Sequence, residues 1–430
     1  MNMTWLTGSV SEILDAIMLE EKEPKDQAAL DNNVSAIIQE VRTLGDQAVK
    51  EYTEEFDGVT LDDLIVSEDI ITEAFERIEP EVQQALECAK ENILSYHTHQ
   101  LEQGFIDFPQ TGVMRGQKIV PLTRVGVYVP GGTASYPSSV LMNVLPAKIA
   151  GVKEIVMFTP PPKDGVFNAA ILVAARLAGV DTIYQVGGAQ AIAAAAYGTQ
   201  TIRPVDKIVG PGNRFVATAK KQVFGKVGID MIAGPSEIGI LAQAGANPAY
   251  LAADLLSQAE HDTFARAFLV TDSKELGEAV EKEVFAQLQT LPRKEIAQQA
   301  IVEQGKIILA SSVSEMFTLM NALAPEHLEI AFEDAMSYLD QVENAGSVFL
   351  GPFTSEPIGD YLAGTNHVLP TSGTARFASA LGVHDFVKRI QYVSYTKEAV
   401  QQASQAIQVL ANKEGLAGHA RAVAMREEQK

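Results

Sequence analysis

The stretch Val125-Gly126-Val127-Tyr128-Val129-Pro130-Gly131-Gly132-Thr133 decides the fold class of this chain. Its first five residues are mostly β-branched or aromatic and lead into turn residues, which is typical of a buried strand. The proline and the two glycines that follow let the backbone turn tightly after that strand. A strand that runs into glycine and then into a helical pattern indicates the start of a βαβ unit.

The same alternation of strand and helix recurs in two regions of the chain, before and after Gly234-Pro235. It predicts an α/β fold with parallel sheets that helices cover on both faces. The predicted strands are 119–120, 125–129, 154–159, 182–186 and 207–209 in the first region, and 238–241, 267–270, 307–310, 328–331 and 347–350 in the second.

The helical patterns before residue 119 suggest how the regions assemble. These helices have no strand partners of their own, and the simplest arrangement packs them with the second α/β region. We therefore predict a discontinuous α/β domain from residues 26–122 and 236–380, into which a second α/β domain, 123–235, is inserted. Residues 1–25 are predicted to be an N-terminal arm, and residues 381–430 a mostly helical C-terminal domain.

Composition excludes several classes of protein. The chain carries 33 basic and 55 acidic residues, a net charge of −22, whereas nucleic acids and anionic membranes attract basic surfaces. No basic residue precedes Lys22, so a signal peptide is not expected. The longest apolar run, 169–180, is too short to cross a bilayer. These features predict a cytoplasmic protein that binds neither nucleic acid nor membrane.

The cysteine content excludes further kinds of structural and metal site. Cys88 is the single cysteine, which excludes intrachain disulfides and thiolate zinc cages. It lies on a helical pattern with Val82, Leu86 and Ala89, so we expect a packed, inert thiol.

Three strand–glycine–helix junctions could bind a nucleotide. They are 128–133, 185–190 and 209–214, and glycine there lets backbone amides approach a phosphate at a helix N-terminus. Such junctions meet at the carboxyl edge of a parallel sheet. None of them is a G-x-G-x-x-G, and the strand after the first ends in Thr159-Pro160-Pro161, without the acid that binds a ribose. Any one junction could also be a tight βα turn and no more.

The segment Leu255-Leu256-Ser257-Gln258-Ala259-Glu260-His261-Asp262 could bind a metal. It ends a helical pattern that opens near Asn247-Pro248. Gln258 and His261 are three residues apart, so they project from one face of the helix end. An amide oxygen and an imidazole suit a divalent metal such as zinc. Alternatively, a histidine at this position caps the helix or favours its dipole.

Other short segments add acids and imidazoles. In 324–329, Glu326 and His327 stand side by side before a strand; an imidazole with a pKa of about 6.5 is a good general base, and a carboxylate can orient water. Asp360 is a candidate metal ligand. His367 could be a ligand, but a hydrogen-bonding role in its loop is favoured. A Gly-Leu-x-Gly-His element at 415–419 is unusual so near a chain end, and docking into a site would explain it.

In combination, these segments resemble the histidinol dehydrogenase family. Ser-Gln-Ala-Glu-His-Asp at 257–262, Pro-Glu-His at 325–327, Gly-Asp at 359–360 and Glu-Gly-Leu-x-Gly-His at 414–419 stand in the family's order. The resemblance covers nearly the whole chain. It implies a homodimer of subunits that each have two incomplete Rossmann-like domains and small N- and C-terminal helical segments.

The same resemblance implies an activity: NAD-dependent, four-electron oxidation of L-histidinol to L-histidine through bound L-histidinaldehyde, the last steps of histidine biosynthesis. His327 would take protons from oxygen, and Glu326 would activate water. A zinc and NAD dehydrogenase of the same fold that acts on another small alcohol is the closest alternative. A zinc hydrolase is a second alternative, but it has no use for three nucleotide-type junctions.

The resemblance also assigns roles to individual residues. One Zn²⁺ per subunit would be held by Gln258, His261, Asp360 and His419, with His419 reaching the active site of the other subunit. Glu326 and His327 would be catalytic. The implied NAD contacts are Tyr128, Gln190 and Asn213, and the implied substrate contacts are Ser236, Gln258, His261, His327, Asp360, Glu414 and His419.

Overall fold

The computed structural model describes residues 2–20, 27–131, 136–232 and 234–427. Gly132 and Thr133 of the first glycine junction therefore lie outside the described residues. The strands are β1 (Thr4–Leu6), β2 (Phe105–Gln110), β3 (Val113–Pro121), β4 (Arg124–Tyr128), β5 (Glu154–Phe158), β6 (Thr182–Tyr184), β7 (Lys207–Val209), β8 (Gly228–Ile229), β9 (Glu237–Ala242), β10 (Arg266–Thr271), β11 (Lys306–Leu309), β12 (His327–Ile330), β13 (Ser347–Leu350) and β14 (Val387–Tyr395).

Helices separate most of these strands. Across the described ranges, no helix is long and apolar enough to cross a membrane. They are α1 (Val10–Glu20), α2 (Gln27–Leu44), α3 (Asp46–Asp57), α4 (Glu68–Arg77), α5 (Pro80–Thr98), α6 (Pro137–Ala150), α7 (Ala169–Ala178), α8 (Gly188–Tyr197), α9 (Arg214–Val223), α10 (Pro248–Ala259), α11 (Lys274–Gln287), α12 (Lys294–Glu303), α13 (Val313–Leu323), α14 (Glu356–Tyr361), α15 (Lys397–Lys413) and α16 (Ala417–Glu427).

A five-stranded parallel sheet forms the first α/β region. Its strand order is β6-β5-β4-β7-β8, so the order of connection reverses between β4 and β7. Val125 and Val127 of β4 pack with α6 and α7 on one face, whereas Val156 of β5 packs with α8 on the other. In open α/β sheets, a crevice for ligands forms at the carboxyl edge where the strand order reverses.

A six-stranded parallel sheet forms the second α/β region, in the order β1-β11-β10-β9-β12-β13. Residues of α10, α11 and α12 cover one face, and residues of α1 and α13 cover the other. The N-terminal segment contributes the edge strand β1 to this sheet. Two parallel sheets with helices on both faces confirm the predicted α/β class.

The N-terminal helices pack differently from the prediction. Helices α2 and α3 contact α8 and α9, and α4 and α5 contact α6 and α7, so they form an outer layer on the five-stranded sheet. Val34 and Val41 share a core with Val156 of that sheet. The expectation that the helices of 26–122 pack with residues 236–380 was wrong, because an apolar stripe predicts that a helix is covered but not by which neighbour. The domain boundaries themselves stay a prediction.

One local expectation is incomplete and another fails. The tail after residue 381 is mostly helical, as predicted, but it also contains the nine-residue strand β14, which pairs antiparallel with β3 along its whole length. Cys88 is exposed rather than packed. Leu86, Ala89 and Ile93 form the buried stripe of α5, and Cys88 lies off that stripe.

A close approach and a buried ion pair hold β4 and β7 together at their carboxyl ends. Gly210 has φ +107°, and a Cβ there would lie 2.1 Å from the carbonyl oxygen of Tyr128. The N–H of Gly210 donates to Asp230 Oδ2 at 2.7 Å, and its carbonyl accepts from Lys220 Nζ at 2.9 Å. Lys220 and Asp230 pair with each other and have side chains only 3% and 1% exposed.

We predict that Asp230→Ala lowers the free energy of unfolding by about 3–5 kcal/mol, because it leaves the Lys220 ammonium buried without a counter-charge. Chemical denaturation of both proteins measures the difference. Glu278→Ala is the matched control: it breaks the Lys274–Glu278 pair, whose side chains are 66% and 59% exposed, and should cost less than about 1 kcal/mol. Equal losses for the two variants would contradict this prediction.

Candidate active site

A cavity of about 490 Å³ brings together six of the eight residues to which the family resemblance assigns a catalytic, metal-binding or substrate-binding role. They are Ser236, Gln258, His261, Glu326, His327 and Asp360. Five separate segments supply them, at the start of β9, the end of α10, the following turn, the start of β12 and helix α14. We call this space the acidic cavity, because carboxylates are the most frequent ionisable groups in its lining.

His327 lies at the centre of the acidic cavity and is buried. Its Nδ1 is 3.1 Å from the carbonyl oxygen of Glu237, so the N–H on Nδ1 donates there. Its Nε2 is 3.4 Å from Asp360 Oδ1 and 3.8 Å from Glu356 Oε1. The carbonyl thus fixes the orientation of the ring and leaves Nε2 facing the carboxylates and the cavity.

Carboxylates control the charge of His327. Burial opposes a charged imidazole, but Glu326, Asp360 and Glu356 outweigh burial and raise the pKa of His327 to about 10. Burial likewise opposes a charged Asp360, yet the adjacent His327 and the nearby His367 lower the pKa of Asp360 to about 2. Without a cation, an imidazolium therefore compensates the buried negative charge.

Glu326 has a different environment from Asp360. It is buried, and burial raises its pKa to about 7 although the neighbouring His327 opposes the shift. One of its oxygens accepts from the N–H of Glu237 at 2.9 Å. A carboxyl group with a pKa near neutrality can either accept or donate a proton at physiological pH.

Gln258 and His261 offer neutral donors to the same cavity. Gln258 is buried on α10, and its Oε1 has no hydrogen-bond partner among the described residues. Burial lowers the pKa of His261 although the Asp360 carboxylate opposes this, which favours the neutral imidazole. Metal ions bind neutral imidazoles and ionised carboxylates, so Gln258, His261 and Asp360 could hold one.

Glu356 is a site residue that sequence reasoning missed. Ligand atoms of His327, Glu356 and Asp360 all lie within 4.8 Å of one another and could hold a metal ion. Glu356 is buried at the start of α14, where its N–H donates to Glu329 Oε1 at 2.7 Å and its Oε2 accepts from Ser257 Oγ at 3.3 Å. Glu356 and Asp360 are four residues apart on one helix, so the sequence could have predicted that the two carboxylates lie on the same face.

Two predicted site residues do not reach the acidic cavity within this chain. Glu414 follows α15 and His419 lies on α16; both side chains are exposed, and neither lines the cavity. His367, in contrast, is confirmed as a hydrogen-bonding residue. Its Nδ1 is 3.0 Å from the Asp360 carbonyl oxygen, and its Nε2 is 3.1 Å from Ser139 Oγ.

A second, larger cavity of about 860 Å³ is lined by residues of all three glycine junctions. The hydroxyl of Tyr128 accepts from the N–H of Gly188 at 3.1 Å. Gln190 is fully buried, and within the described part of the chain its amide oxygen and nitrogen both lack partners. Asn213 caps α9 by accepting from the N–H groups of Phe215 and Val216.

The two cavities adjoin. Pro130, Gly131 and Asn213 line both of them, at the carboxyl ends of β4 and β7 where the strand order reverses. An elongated ligand can therefore extend from the larger cavity into the acidic cavity. The unpartnered amide of Gln190 provides hydrogen-bonding groups that such a ligand would satisfy.

Comparisons with known proteins agree over the whole chain. A family model described as histidinol dehydrogenase matches residues 20–427. The histidinol dehydrogenases of Streptococcus mutans and Listeria monocytogenes are 61% and 57% identical over 428 and 427 residues, which is 99% of this chain and 100% of each relative. The crystal structure of histidinol dehydrogenase from Elizabethkingia anophelis matches with a TM-score of 0.93 and 39% identity, covering 99% of this chain and 98% of that one.

We predict that Glu356→Gln lowers the pKa of His327 in the metal-free protein. Burial and the charge of Asp360 raise the pKa of Glu356 to about 8, so Glu356 is ionised over the range in which His327 titrates. Removing that charge should lower the pKa of His327 by about 1. NMR of protein labelled with ¹⁵N-histidine measures it. Glu343→Gln, an exposed replacement, is the control; an unchanged His327 titration in Glu356→Gln would contradict the prediction.

Proposed function

The chain belongs to the histidinol dehydrogenase family, and we therefore propose that it oxidises L-histidinol to L-histidine through bound L-histidinaldehyde. The observation that carries this proposal is the position of Glu326 and His327. They lie side by side in the acidic cavity, which adjoins the cavity lined by the glycine junctions. An acid and a base are thus available where a nucleotide cofactor and a small alcohol could meet.

We propose that Gln258, His261 and Asp360 hold one Zn²⁺, together with His419 from the partner subunit. The unpartnered, buried Oε1 of Gln258 supports this, since a buried amide oxygen is costly without a partner. Zinc has no redox chemistry, so it would anchor the imidazole and amine of the substrate and retain the aldehyde between the two oxidations. Ser236 and Glu414 are proposed to contact the substrate.

NAD is the proposed oxidant, and it would accept the hydride that leaves the substrate carbon in each oxidation. Tyr128, Gln190 and Asn213 are the proposed contacts. Both polar atoms of the Gln190 amide are buried and unpartnered, which fits a residue that binds a ligand. The reversal of strand order between β4 and β7 is the usual position of a nucleotide in α/β sheets.

His327 would take the hydroxyl proton of the substrate through Nε2, while its Nδ1 stays held by the Glu237 carbonyl. To act as a base it must be neutral, although carboxylates raise its pKa in the metal-free protein. A cation bound by Asp360 would cancel much of that attraction. Glu326 would then orient the water that adds to the aldehyde, and His327 would deprotonate the resulting hydrate.

The exposed C-terminal segment supports a homodimer with shared sites. Ile390 and Val393 on β14 and Val409 and Leu410 on α15 are large apolar residues with 47–72% of their surface exposed. Such a surface is typical of an interface. The same segment carries Glu414 and His419, so pairing with a second copy would explain both the apolar surface and the distance of these residues from the acidic cavity.

A turnover assay tests the proposed function. We expect two NADH per L-histidinol consumed, with L-histidine as the product. A chelator should abolish this activity and Zn²⁺ should restore it, with the metal content verified by elemental analysis. NADH formation only with another small alcohol would support the alternative dehydrogenase. Hydrolysis without NADH would support the zinc hydrolase.

Substitutions of Glu326 and of His327 should slow different steps of the reaction. His327→Asn should slow both oxidations, on the order of 10²–10⁴-fold, because each needs a proton removed from oxygen. Glu326→Gln should mainly slow the second, because only that step consumes water. Assays with histidinol and with histidinal separate the steps. Equal damage by Glu326→Gln to both would contradict the division of roles.

A mixing experiment tests the shared site. His261→Ala and His419→Ala homodimers should each be nearly inactive. In a mixed dimer one site carries both lesions and the other none, so co-refolding should restore about a quarter of the wild-type activity. His99→Ala, an exposed replacement, should be fully active on its own. No recovery, with mixed dimers verified by native mass spectrometry, would exclude a shared site.

A further inference from the structure

The larger cavity contains a carboxylate that the sequence motifs do not explain. In many dinucleotide-binding folds, an acid after the second strand of the sheet binds the adenosine ribose. Here that strand is β5, and it is followed by Thr159-Pro160-Pro161, which offers no acid. The three residues nevertheless line the cavity. Asp164, further along the same loop, also lines the cavity, but its side chain is exposed and one of its oxygens accepts from the N–H of Val166, so a buried acid that binds a ribose must come from elsewhere in the chain.

Asp57 supplies such an acid from outside the sheet. It is the last residue of α3, and α3 packs against α8, which begins at the second glycine junction. Gly58 follows in the left-handed conformation, φ +73°, and its N–H donates to the Glu54 carbonyl. This cap ends the helix at Asp57, which lines the larger cavity together with Tyr128 and Gln190.

One of the two carboxylate oxygens of Asp57 lacks a partner among the described residues. This oxygen, Oδ2, is buried, and no described residue donates a hydrogen bond to it. Burial raises the pKa of Asp57, and the charge of Lys163 opposes that rise only in part. A buried acceptor without a donor is unfavourable, so a ligand that supplies hydroxyl groups would relieve a cost already present in the free protein.

The position of Asp57 indicates which half of the cofactor it would meet. His327 lies in the acidic cavity, so the reacting ring of the cofactor must lie near the shared boundary at Pro130 and Asn213. The other half, the adenosine, must then extend into the larger cavity. Asp57 lines only that larger cavity, so it is available to the adenosine and not to the reacting ring.

We propose that Asp57 accepts hydrogen bonds from the adenosine ribose hydroxyls of NAD and thereby selects NAD over its 2′-phosphorylated form. This inference rests on the proposed function, in which NAD is the oxidant. A carboxylate accepts hydrogen bonds from the two adjacent ribose hydroxyls but repels a 2′-phosphate. One residue can therefore both bind NAD and disfavour its 2′-phosphorylated form. Lys163 and Asp164 also line the cavity, but both side chains are exposed.

Binding to the full-length, zinc-loaded protein tests this inference without relying on turnover. Isothermal titration calorimetry with NADH and NADPH gives a dissociation constant for each. The wild type should bind NADH at least about tenfold more tightly than NADPH. Asp57→Asn should weaken NADH binding on the order of tenfold and bring the two constants within a few-fold of each other. Asp164→Asn removes the same charge from the same cavity and should leave the preference for NADH in place.

A second measurement uses an altered ligand, and its first part needs only the wild-type protein. NADH whose adenosine ribose lacks the 2′-hydroxyl should bind the wild type several-fold less tightly than NADH. Asp57→Ala, with its fold verified by circular dichroism, should lose that difference. An unchanged NADH preference in the Asp57 variants and equal binding of the two NADH forms by the wild type would overturn the role of Asp57. No binding of NADH to any protein would instead contradict the proposed function.

Discussion

The attraction between one buried imidazole and the carboxylates around it is the interaction on which this site depends. His327 has Asp360, Glu356 and Glu326 within 4 Å, and all of these side chains are largely removed from water. So many buried acids would be unfavourable without a positive charge among them. In the metal-free chain the imidazolium supplies that charge. A site with this excess of carboxylates attracts a cation. A bound cation would in turn lower the pKa of the imidazole, so that the neutral ring could act as a base.

Backbone geometry determines where this group of charges lies. His327 begins β12, and its ring is held by a carbonyl at the start of β9, so two neighbouring strands of the six-stranded sheet fix its position. The five-stranded sheet contributes the facing wall through the junctions after β4 and β7, which the buried Lys220–Asp230 pair holds together. The acidic cavity thus lies between the ends of two sheets, and the ordered elements around it suit chemistry that requires exact placement of protons.

Much of the fold was predictable from sequence, because a buried parallel strand has a local signature. The segments at 207–209 and 347–350 match β7 and β13 to the residue. What the sequence did not reveal depends on contacts distant in the chain. The apolar stripe of α2 did not show that it covers the five-stranded sheet, and β14, whose residues are almost all exposed, depends on pairing with β3. Glu326, His327 and Asp360 were found because family motifs contain them, whereas Glu356 lies outside those motifs and was missed.

The larger cavity is a second example of a feature that depends on contacts between residues distant in the chain. The segment Thr159-Pro160-Pro161 directly after β5 contains no acid, but this does not establish that the cavity lacks a buried one. Helix α3 brings Asp57 to the cavity, and this became visible only once the N-terminal helices were found on the five-stranded sheet. In many α/β folds a residue at one strand end binds the ribose, but any element that packs beside that strand end can supply the carboxylate. What matters for binding is the position of the carboxylate in space and not its position in the sequence. The packing of the N-terminal helices is therefore part of the architecture of the proposed cofactor site as well as of the core.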